Sequence, residues 1–149
     1  MAVDPKIKIL LVEDAGTMRK METKILSQLG FTTIIEAVDG DDAIIKIETE
    51  KDFQLIISDW AMPNKDGFEL LRWVRTHDSF KNTPMIMATG QGDKEYVEKA
   101  IQAGANGVVA KPLLRTILKP RLKKPLALFS RSPKSQMLRR RLMRLERFV

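Results

Sequence analysis

Between Leu55 and Gly67 the chain reads Leu-Ile-Ile-Ser-Asp-Trp-Ala-Met-Pro-Asn-Lys-Asp-Gly, and this stretch limits the fold more than any other. A short apolar run with no room for a polar face reads as a strand, and Pro63 and Gly67 forbid that strand to continue. Asp59 is therefore a carboxylate at the C-terminal end of a strand. In open α/β sheets ligands bind outside the carboxyl ends of the strands, so an aspartate there is better placed for chemistry than for packing.

Three other apolar runs also end in reactive groups. Ile7–Val12 leads into Glu13 and Asp14, Met85–Ala88 into Thr89, and Gly107–Ala110 into Lys111 and Pro112. If these strands are parallel neighbours, three carboxylates, a hydroxyl and an ammonium meet at one sheet edge. Such carboxylates suit Mg²⁺, a hard cation that keeps much of its water shell. With a lysine charge and a threonine hydroxyl opposite, a phosphoryl group on the remaining carboxylate oxygen would be neutralised. The inferred chemistry is an aspartyl phosphate on Asp59. Simpler roles exist for each residue alone: Glu13 and Asp14 as helix N-cap, Thr89 as a turn cap, Lys111 as a solvated surface lysine.

The intervening segments read as helices. Thr17–Leu29 carries Met18, Met21, Ile25, Leu26 and Leu29 at helical spacing, with Gly30 placed as a C-terminal cap. Phe31–Ala37 is β-rich; Ala43, Ile44 and Ile47 fit a short helix; Phe68, Leu70, Leu71 and Val74 a third; Lys94–Ala103 a fourth. Repeated βα units of this length predict an α/β fold with a doubly wound, five-stranded parallel sheet. The expected closing helix is atypical or broken, because Pro120 and Pro125 interrupt it and a proline inside a helix costs about 3 kcal/mol or more.

Taken together in order, Glu13-Asp14, the segment from Asp59 to Gly67, Thr89 and Lys111-Pro112 resemble the receiver domain of two-component response regulators, closest to the single-domain chemotaxis (CheY-like) type. The resemblance covers residues 5–114. It implies the flavodoxin-like strand order 2-1-3-4-5, with Asp59 as phospho-acceptor and a sensor histidine kinase or small acyl phosphate as donor. By the same resemblance Asp14, Asp59 and the backbone carbonyl of Ala61 ligate Mg²⁺, and Glu13 does so through water. Lys111 and Thr89 contact the phosphoryl group, and the Lys111–Pro112 bond is cis. The chain is then a signalling switch that catalyses only its own phosphorylation and dephosphorylation. A downstream protein target is expected on the face of helix four, strand five and helix five. Two positions depart from the pattern. Val108 stands where many receivers have an aromatic switch residue, and Ala61 lacks the carboxamide that assists dephosphorylation in the chemotaxis type. Alternatives from other classes are a phosphorylation-independent pseudo-receiver used as a docking module and a DNA-binding regulator acting through its basic tail.

Charge is divided unevenly. Residues 1–114 hold 14 lysines and arginines against 18 acidic residues, a net of −4, whereas 115–149 hold 12 against one, a net of +11. The overall +7 therefore belongs to the tail. The expected organisation is a receiver over 1–118 and a basic tail over 119–149, helical at 137–149 or disordered. A stripe of Leu138, Leu142, Leu145 and Val149 among arginines suits an anionic membrane surface. The tail is too short to supply the core of a DNA-binding domain, so nucleic acid is not an expected partner, and the chain should be a monomer or a tail-mediated dimer. No cysteine, export signal or membrane span is present in the sequence, which predicts a cytoplasmic protein. Among isolated aromatics, Trp60 is expected to be partly exposed near the site, Trp73 to pack on its helix, and His77 to have no role.

Overall fold

The computed structural model describes residues 4–90 and 94–113. Five parallel strands run in the order β2-β1-β3-β4-β5: β1 (Lys8–Val12), β2 (Thr33–Ala37), β3 (Leu55–Asp59), β4 (Met85–Thr89) and β5 (Gly107–Ala110). Helices α1 (Gly16–Gln28), α2 (Gly40–Glu50), α3 (Gly67–Thr76) and α4 (Lys94–Gln102) lie between them. This is the flavodoxin-like topology that the resemblance implied. The closing-helix region and the basic tail fall outside the described residues.

Side-chain alternation splits the strands between two cores. Ile9, Leu11, Leu55, Ile57, Ile86, Ala88 and Val109 join Leu26 of α1 on one face. Leu10, Val12, Ile56, Met85, Met87 and Val108 meet Ala43 and Ile47 of α2, Leu70, Leu71 and Val74 of α3, and Ala100 of α4 on the other. Because the inner strands are apolar on both sides, every residue of β3 and β4 is buried, as a parallel sheet covered on two faces requires. Among the described residues no helix is long and apolar enough to cross a membrane.

One buried cation braces the edge opposite the strand ends. Arg75 of α3 is 8% exposed and donates to Gly104 O at 2.9 Å, Asn106 Oδ1 at 2.6 Å, Thr83 O at 2.6 Å and Lys81 O at 3.1 Å. Asn106 Oδ1 also accepts from Met85 N, so one guanidinium ties α3 to the starts of β4 and β5. Arg75→Met keeps the apolar stem but strands these acceptors. It should lower unfolding free energy by about 3 kcal/mol in urea titration, and a midpoint unchanged from the parent would refute the bracing role.

Candidate functional site

Register brings the predicted residues to one edge. Val12 pairs with Ser58, so the next residue, Glu13, stands beside Asp59; Asp59 pairs with Ala88 and Thr89 with Ala110, so Lys111 follows one step on. Backbone bonds seal the turns: Glu13 N donates to Ala37 O, Trp60 N to Ala88 O, and Lys111 N to Thr89 O. The Lys111–Pro112 peptide is cis.

The loop after Asp59 is fixed from both ends. Asn64, in the left-handed region at φ 65°, donates its amide to Asp39, the N-cap of α2, at 2.8 Å. Gly40 N donates to Lys65 O, and a Cβ on Gly40 would come within 2.6 Å of that same oxygen. The hydrogen bonds from Asp42 N and the Asn64 side chain hold the Asp39 carboxyl below its ordinary range. Asp66 and Glu69 form a capping box at the start of α3, and Gly67 N donates to Trp60 O.

At the centre Lys111 Nζ lies 2.8 Å from Glu13 Oε2 and 2.9 Å from Asp59 Oδ2. Glu13 and Asp59 are buried, Asp14 is exposed, and one carboxylate oxygen from each lies within 4.8 Å of the others. Burial opposes the Lys111 charge, but the bonds to Glu13 and Asp59 outweigh it and raise the pKa. For Glu13 burial dominates; the charge of Asp59 adds to it, Lys111 opposes, and the net pKa is raised. The donor set is all carboxylate oxygen, open to solvent on the Asp14 side, and so fits Mg²⁺. Thr89 is buried at the end of β4, and Ala61 is exposed immediately past Trp60.

A family model described as the response regulator receiver domain matches residues 9–123. The chain belongs to the response regulator receiver family. The receiver is 38% identical to the chemotaxis protein CheY1 of Helicobacter pylori over 116 residues, covering 78% of this chain and 94% of the relative. Among solved structures it resembles the chemotaxis response regulator CheY4 of Vibrio cholerae, with TM-score 0.72 and 32% identity over 78% of this chain and 96% of the other. It also resembles a chain of the CheX-CheY-BeF3-Mg complex of Borrelia burgdorferi, with TM-score 0.68 and 31% identity over 74% and 81% of the two chains. Membership places the receiver in two-component signalling as a switch, in a family that binds Mg²⁺ at an acidic pocket, is phosphorylated by histidine kinases and binds downstream targets.

Three sequence expectations change. The N-cap of α1 is Ala15, without a side-chain cap; Glu13 instead accepts from Ala15 N at 3.2 Å and turns its other oxygen to Lys111. Trp60 is buried at 8% exposure, because Phe68 and Tyr96 close around its ring. In α1 the inward residue is Glu22, 2% exposed, while Met21 points outward at 42%. Burial, then the Glu13 charge, pushes Glu22 up to about 8, and its Oε1 has no hydrogen-bond partner. Sequence reasoning missed Glu22 entirely. Trp73 does pack on its surroundings, against Phe80 and His77, so His77 serves as a ring contact.

Proposed function

We propose that Asp59 accepts the phosphoryl group in a Mg²⁺-dependent reaction, and that the phosphorylated receiver changes its affinity for a protein partner. The observation that carries this reading is Lys111 held between Glu13 and Asp59 at 2.8 and 2.9 Å. One ammonium engages a single oxygen of Asp59, leaving the other for attack. That oxygen forms the new P–O bond as the P–N bond of a donor phosphohistidine breaks, and the bonding pair leaves with the imidazole nitrogen. Lys111 then follows the charge to a phosphoryl oxygen, and Thr89 donates its hydroxyl to another.

Glu13, Asp14, Asp59 and the Ala61 carbonyl are the residues that would hold Mg²⁺, directly or through water. When bound, the ion neutralises charge on the transferring group. Little covalent work is asked of the protein beyond positioning, in keeping with a switch whose own phosphorylation is its only chemistry. In this reading the receiver unit is residues 1–118, residues 119–149 are a basic tail in sequence, and the responsive face includes α4 and β5.

Incubation with Mg²⁺ and acetyl phosphate should add one phosphoryl mass to the intact protein. EDTA should abolish the gain, and Asp59→Ala should reduce it to background. A gain of equal size in Asp59→Ala would move the acceptor elsewhere. No gain in the folded parent, with a histidine kinase donor also tried, would end the phospho-acceptor reading.

A further inference from the structure

Trp60 joins the acceptor to the Ala61 carbonyl in sequence, so whatever holds its ring holds that segment. Two helices hold it. Phe68 of α3 stacks on the indole at 5.5 Å and 20°, and Tyr96 of α4 meets it edge-on at 5.1 Å and 80°. One turn after Tyr96, Lys99 sets its ammonium 4.5 Å from the centre of the Phe68 ring. Tyr96 and Lys99 share one face of α4, as their spacing of three dictates, and both close on the pair formed by Trp60 and Phe68. Offset and edge-to-face rings are directional contacts, so α4 cannot shift without changing the indole's surroundings.

The same end of α4 also lies close to the site along the chain. Thr89 ends β4, and α4 begins at Lys94, five residues on. A change at Thr89, whose hydroxyl meets the phosphoryl group in the proposed reaction, falls close in sequence to the first turn of α4, where Tyr96 sits. Val108, buried on β5, has no ring to carry such a change.

We propose that Tyr96 is a positioning residue that clamps the Asp59–Ala61 segment through Trp60 and makes the placement of α4 answer to occupancy of Asp59. The inference rests on the phospho-acceptor reading. In the structure the clamp is closed; it stabilises that arrangement, and occupying Asp59 draws Tyr96 off the indole edge. Coupling of this kind is reciprocal: what loosens the clamp favours occupancy.

The test uses beryllofluoride with Mg²⁺ on the full chain carrying Trp73→Phe, so that Trp60 is the sole tryptophan. Trp60 emission gives the affinity, and backbone amide shifts of residues 94–102 report α4. In this background both signals should change on binding, and Tyr96→Phe, which keeps the ring, should behave alike. Tyr96→Leu should bind beryllofluoride about fivefold more tightly, while its α4 amides lose most of the ligand-induced shift. Loss of packing alone would not tighten binding. Unchanged affinity and full α4 shifts in Tyr96→Leu would overturn the clamp and leave the acceptor reading standing. A parent that binds neither Mg²⁺ nor beryllofluoride would overturn both.

Discussion

Replacing Gly67 with alanine should unfold the receiver more readily and disable its acceptor at once. A Cβ at this position would lie 2.0 Å from Asp59 O and 2.9 Å from Met87 Cε. The first neighbour is backbone at the end of the central strand and cannot rotate away. Gly67 is the first residue of α3, fixed by the Asp66 capping box and by its own bond to Trp60 O, so the helix cannot retreat without breaking these. Overpacking of this kind costs about 3 kcal/mol, and occasionally more. Any relief must displace Asp59, and a displacement of about 1 Å at a reacting group costs about a hundredfold in rate. Gly90 supplies the control, because a Cβ there meets nothing within 4 Å. Urea midpoints and labelling rates with acetyl phosphate should fall for Gly67→Ala and stay near the parent for Gly90→Ala. Equal behaviour of the two variants would show that α3 does not press on Asp59.

The second large effect concerns Glu22. Its pKa in the folded chain is pushed up to about 8, against an ordinary value of 4.5, by burial first and by the Glu13 charge second. The folded state thus binds this proton more tightly than the unfolded state does. Stability from it is complete below about pH 4.5 and is lost as pH rises through about 8. A tenfold difference in proton affinity between the folded and unfolded chains is worth about 1.4 kcal/mol, so the loss across the window is on the order of 3 kcal/mol once relaxation around the carboxylate is allowed for. Glu22→Gln keeps the shape and cannot ionise. Urea unfolding in metal-free buffer should find the variant close to the parent at pH 4.5 and more stable by about 3 kcal/mol at about pH 8.5. A constant difference across that range would mean that Glu22 reaches solvent when charged. Glu13 shares the same surroundings, so the parent-minus-variant difference, and not the parent curve alone, is the informative quantity.

Glu22 also shows where a sequence pattern stops being decisive. Met18, Met21, Ile25 and Leu29 make a plausible apolar stripe, but so do Met18, Glu22, Leu26 and Leu29 if an acid is tolerated inside. The two stripes share Met18 and Leu29 and differ by a rotation of only about 50°. What tips the helix is a set of partners that come from elsewhere in the chain: Glu13 from the end of β1 and Lys111 from the end of β5. Trp60 fails for a similar reason. Phe68 is near in sequence, but Tyr96 arrives from 36 residues away, and without it the indole has an open side.

What the amino-acid order determined was the alternation of strands and helices and the residue at each strand end. Apolar runs of strand length, closed by Pro63, Gly67 or Pro112, leave Glu13, Asp59, Thr89 and Lys111 no other position, because period and punctuation are local properties. Resemblance then supplied the strand order, which the structure bears out. Only tertiary structure decided how those ends are joined: Lys111 bonded to both Glu13 and Asp59, Glu22 buried behind them, and α4 laid against Trp60. These are contacts between groups tens of residues apart, set by strand register and by the space left between packed helices, and neither quantity is written in any one stretch of chain.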